Sequence, residues 1–109
     1  MRRAALVLAL LAGCGAFPEL ADHPCPDGGT VHTYASFGER FFAVRCNHCH
    51  GGVDAHSSRA FLTVELIRAQ RDRIYANATQ DNPPMPPGPG DPPEEERAKL
   101  AEWLACGAP

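Results

Sequence analysis

The chain lacks an apolar run long enough to cross a bilayer. Its longest, Ala4 to Ala12, holds nine residues, where a spanning helix needs about 20. It also lacks any sustained alternation of apolar and polar residues, which excludes a sheet as the main architecture. Positive charge is scarce: the formal charge is −3, so no basic face is available for a phosphate backbone. A nucleic-acid-binding module is excluded on that ground. Methionine is reduced to two residues, Met1 and Met85.

What remains is informative. A chain of 109 residues with 44% hydrophobic content builds one small core and is not wholly disordered. Ten Gly and eleven Pro imply long loops around a few helices. Met1-Arg2-Arg3 followed by the short apolar stretch reads as an export signal. Leu11-Ala12-Gly13-Cys14 resembles the lipobox of bacterial lipoproteins. That resemblance implies removal of residues 1–13 and acylation of Cys14, which tethers the protein to a membrane of the cell envelope, facing the periplasm. An ordinary signal peptide with an incidental Cys is the alternative. Gly15 after the Cys favours the outer membrane. Loss of Arg2 and Arg3 takes the formal charge from −3 to −5.

Residues 14–32, with Pro18, Pro24, Pro26, Gly28 and Gly29, read as the lipidated N-terminus and a tether, and residues 33–109 as the domain. Ser36-Phe37-Gly38-Glu39 predicts a capping box for a first helix whose inner face is Phe37, Phe41 and Val44. A second helix is expected over 63–78, burying Val64, Ile67, Ile74 and Tyr75. Seven Pro between 82 and 93 exclude helix there. A last helix is expected with Asp91 as its cap and Pro92 at its first position, burying Leu100, Ala101, Trp103 and Leu104 and ending at Gly107. The fold class is therefore all-α, three main helices.

Cys46-Asn47-His48-Cys49-His50 is a C-x-x-C-H motif, the attachment pattern of c-type haem. Two thiols three residues apart on one turn reach the two vinyl groups on one side of a porphyrin, and the next residue carries its imidazole to the iron. A thioredoxin-like reading needs a preceding strand, which is missing. A zinc reading needs a second ligand pair, and none stands out. With Gly38, Phe42 and Cys46 spaced by four and four, and Leu100 and Trp103 by three, residues 33–106 resemble the small single-haem cytochrome c family. The resemblance implies a cytochrome c fold around one covalent haem c, with Gly38 packed against an aromatic of the last helix. It further implies Cys46 and Cys49 as haem attachments, His50 as proximal iron ligand and Met85 as distal ligand.

Met85, in Asn82-Pro83-Pro84-Met85-Pro86-Pro87, is the sole methionine outside the leader. Its flanking prolines stiffen the loop that must hold so weak a ligand. His32 and His56 are the alternative sixth ligands, and His48 is expected to face solvent. Lipidation and haem attachment use three of the five Cys, leaving Cys25 and Cys106, which an exported protein pairs as a disulfide. The function expected is one-electron transfer by a membrane-anchored mono-haem cytochrome. It is not an enzyme, has no small-molecule substrate, and serves redox protein partners with a basic docking rim. A haem sensor or peroxidase-like protein with a labile distal ligand is the alternative, as is a subunit fixed in one complex.

Overall fold

A computed structural model describes residues 19–50, 60–80, 83–86 and 91–109. Among them there is no strand, and the fold is all-α. A 3₁₀ turn, Leu20–Asp22, is followed by a π-helical turn, Tyr34–Gly38, and five α-helices: α1 (Glu39–Arg45), α2 (Asn47–His50), α3 (Val64–Ala69), α4 (Arg71–Ala78) and α5 (Glu94–Ala105). The core gathers Phe42, Ile67, Leu100, Trp103 and Leu104, all essentially sealed from solvent.

The first helical segment starts one turn earlier than the Ser36 capping pattern predicts. Thr33 is the cap: its Oγ1 accepts from Ser36 N–H at 3.0 Å, while Ser36 Oγ accepts from Thr33 N–H at 2.9 Å. The reciprocal box is thus satisfied by Thr33 and Ser36, not by Ser36 and Glu39. The rotation of α1 is set by Gly38. A Cβ built there would sit 2.8 Å from Cη2 and Cζ2 of Trp103, so only glycine admits the indole this closely. At about 100° per residue, Phe41 and Phe42 lie within roughly 60° of Gly38, and Val44 about 120° away. Val44 is accordingly 62% exposed, and Phe42 takes the buried position expected of it. Gly38→Ala is expected to cost about 1–3 kcal/mol through overpacking against Trp103, read as a lower thermal midpoint.

The helix expected over 63–78 is two helices. Thr63 caps α3 through its Oγ1, which accepts from Leu66 N–H at 3.2 Å. Gln70 ends it, its side-chain amide donating to Leu66 O and to Ala60 O, both at 3.2 Å. Helix α4 then restarts at Arg71. The start of α5 is also shifted, since Asp91 is not its cap and Pro92 is not helical. Pro93 is extended (φ −62°, ψ 155°), provides no side-chain cap and precedes the first helical residue, Glu94. A proline disfavours helical geometry in the residue before it, so the Pro92-Pro93 pair delays the helix until both have passed. Glu94, Glu95 and Glu96 then occupy the positive end of its dipole.

The C-terminal end of α5 closes as a Schellman motif. Gly107 takes φ +95°, its N–H donates to Leu104 O at 3.0 Å, and Ala108 N–H donates to Trp103 O at 2.8 Å. This turn delivers Pro109 O to the N–H of Tyr34 (2.7 Å) and to Nε1 of Trp103 (3.1 Å), stapling the end of the chain to the first helical turn.

The segment read from sequence as a tether is, from residue 19 onward, part of the domain. Leu20 is buried among α4 and α5, His23 Nδ1 lies 3.3 Å from the Tyr75 hydroxyl, and Thr30 Oγ1 donates to Glu102 at 2.7 Å. Cys25 and Cys106 are joined in the structure, with Cα atoms 4.8 Å apart. Such an irregular strap docks through isolated side chains, so it leaves no periodic trace in the sequence.

Candidate haem site

The site is built on the junction of α1 and α2. Cys46 ends α1, its N–H donating to Phe42 O at 3.0 Å. Its carbonyl then accepts from both Cys49 N–H (3.1 Å) and His50 N–H (3.0 Å). That one carbonyl curls the next four residues into a helical turn that carries both thiols and the imidazole. Cys46 is half-buried and Cys49 exposed, both as free thiols. Burial pushes the Cys46 thiol up to about 12, against a smaller opposing pull from the Arg97 guanidinium. It is thus held protonated, and its charge does not have to be accommodated in the core. His48 is exposed.

The His50 imidazole stacks on Phe61, with ring centroids 4.5 Å apart and planes at 30°. Phe61 N–H also donates to His50 O at 3.2 Å, and its ring meets Phe42 edge-on at 5.5 Å. The imidazole is therefore oriented by an aromatic that is itself fixed in the core. Phe61 was not picked out from the sequence, because its link to His50 is spatial and it lies in no periodic segment.

Met85 is held by its backbone. Its N–H donates to Asn77 O at 3.0 Å, and its carbonyl accepts from Arg97 Nη1 at 2.8 Å. The residue is 41% exposed. Arg97, also missed from sequence, is buried on the inner face of α5. Its spacing of three, four and seven from Leu100, Ala101 and Leu104 was the available signal, masked by the run of acids before it. His32 packs against Phe37, with centroids 5.5 Å apart, and His23 against Tyr75. Cys14 and His56 lie outside the described residues.

The donor set fits a covalently held haem. Two free thiols at the required spacing share a turn with an imidazole, and the adjoining segment exposes large apolar side chains, Leu62 at 55% and Leu66 at 40%. Cys46 and Cys49 would carry the two thioethers, each thiol adding S–H across a vinyl double bond. His50 and Met85 would supply nitrogen and sulfur to the iron. Among the described residues, no three His, Cys, Asp or Glu side chains converge as a structural zinc site requires. Nor is any described helix long and apolar enough to cross a membrane.

Residues 35–104 match the family model described as "Cytochrome C oxidase, cbb3-type, subunit III". The matched span runs from the π-helical turn through most of α5. It includes Cys46, Cys49, His50, Met85 and Arg97 and leaves out Cys14, Cys25 and Cys106. No match is found among curated proteins or among solved structures.

Proposed function

The chain belongs to the cytochrome c oxidase cbb3-type subunit III family, a family of haem-binding electron-transfer domains, and from that premise we propose that it is a membrane-anchored, mono-haem, one-electron carrier of the bacterial cell envelope. The observation that carries this reading is the single helical turn that carries Cys46, Cys49 and His50, with the imidazole braced by Phe61. The bound haem supplies a one-electron iron couple. The protein's part is to hold the ligands, exclude water and keep reorganisation small.

Each residue has a task in that scheme. Cys46 and Cys49 hold the group covalently, and His50 is the proximal ligand. Met85 is the distal ligand, whose soft sulfur favours the reduced state and closes the iron to substrates. The sequence contains one C-x-x-C-H, hence one haem. Cys14 is acylated after removal of residues 1–13 and anchors the domain, periplasm-facing, with the outer membrane favoured. The formal charge of −5 in that mature form suits a redox partner with a basic rim, met in a small, transient contact.

The Cys25–Cys106 disulfide clamps the N-terminal strap to the end of α5. With its cysteines 81 positions apart in sequence, it is worth about 4 to 5 kcal/mol in the chain-entropy model. Reduction is expected to lower the thermal midpoint by at least about 10 °C while leaving the visible spectrum unchanged, since neither sulfur belongs to the haem turn.

Peptide mass mapping of the protein from its native membrane tests the whole proposal. Expected are one haem mass on the peptide containing Cys46 and Cys49 and an acylated N-terminus at Cys14. A haem that dissociates in acid–acetone would overturn the c-type assignment, and an unacylated N-terminus would overturn the anchor.

A further inference from the structure

Arg97 is the one buried charged residue among the described residues, 9% exposed. Its Nη1 donates to two carbonyls at once, Ala78 O at 2.6 Å and Met85 O at 2.8 Å. The first acceptor lies at the C-terminus of α4, where unsatisfied carbonyls and the helix dipole attract a cation. The second belongs to the Pro-rich segment between α4 and α5. Met85 N–H is tied to Asn77 O, again at the end of α4, at 3.0 Å. Both polar backbone atoms of Met85 are thus anchored, one to α4 directly and the other through a side chain of α5.

An apolar residue would serve the packing of α5 at this position, as Leu100 and Leu104 do one and two turns later. Burying a charge is unfavourable unless its hydrogen bonds compensate. A helix cap accounts for the bond to Ala78, but not for the placing of the same nitrogen on Met85 O.

We propose that Arg97 is a positioning residue that locks the Met85 backbone to the ends of α4 and α5, so that the Met85 thioether is held on the iron. The inference rests on the reading of Met85 as distal ligand. A thioether binds iron weakly, so its occupancy depends on how rarely the loop lifts away, and a charge-assisted bond to the ligand's own carbonyl reduces that lifting.

The test compares the haem-loaded wild type with Arg97→Lys and Arg97→Met. It follows the weak red-edge absorption band of ferric haem bound by a thioether, the rate of CO binding to the ferrous form, and the thermal midpoint. A wild type without the band, binding CO rapidly, would remove the ligation reading and this inference with it. Given the band in wild type, both variants are expected to keep covalent haem, to lose the band at lower temperature, and to bind CO roughly tenfold faster or more, as loss of one charged-group hydrogen bond implies. Reduction of Cys25–Cys106 serves as the control, lowering the midpoint without accelerating CO. Should Arg97→Met fail to fold, Arg97→Lys carries the test, since it keeps the charge while its shorter side chain does not reach as far as the Nη1 that makes both bonds. Arg97 variants that melt earlier yet keep the band to their unfolding transition and the wild-type CO rate would show a helix cap only and overturn the inference.

Discussion

Met85→Ala is expected to lower the reduction potential by on the order of 100 mV, a part of the roughly 0.8 V range that axial ligands command, and to open the iron to rapid CO binding. Sulfur stabilises the reduced iron, so its loss favours the oxidised state. No other thioether can take its place, because the second methionine, Met1, belongs to the leader expected to be removed. The backbone bonds at this position do not depend on the side chain. Asn77 O and Arg97 still hold residue 85, so the loop stays and only the ligand is lost. Covalent haem content is expected to remain near normal. Redox titration and CO-binding kinetics check this together. A variant that keeps its potential and remains closed to CO would point to His32, which the structure sets against Phe37.

The second large effect is on haem retention. Cys46→Ser with Cys49→Ser is expected to abolish covalent attachment, and either change alone to leave a single thioether. The two positions are not equivalent. Cys46 ends α1 half-buried beneath the turn, whereas Cys49 is exposed, so Cys46→Ser also places a hydroxyl in a desolvated setting and is expected to destabilise the fold more. Acid–acetone extraction followed by intact mass checks it. Haem that survives extraction on the double variant would contradict the role given to both thiols.

The haem turn was legible in the sequence because its chemistry is local: five consecutive residues carry the thiols and the imidazole. The Gly38–Trp103 contact was expected only through the resemblance to the cytochrome c family, because a close approach of two helices distant in sequence leaves no local trace. The shifts at helix starts came from competition between neighbouring signals. Thr33 and Ser36 outcompete Ser36 and Glu39, and Pro93 forbids the helical geometry that Pro92 would otherwise start. Gln70 breaks a continuous apolar pattern with its side-chain amide, which no periodicity reveals. Phe61 and Arg97 were hidden for a different reason. Their roles are carried by partners far along the chain or across a loop, and a buried arginine runs against the rule that charge lies outside.

The proposed role of this chain is to carry one electron on a haem iron closed on both sides. It is tested most directly by a redox titration of the wild-type protein, followed in the visible with CO present in a parallel sample. Expected are one reversible one-electron wave, a red-edge thioether band in the ferric form, and a ferrous spectrum that CO does not rapidly change. A ferric form without the band, and a ferrous form that takes up CO at once, would contradict it and favour a sensor or peroxidase-like protein.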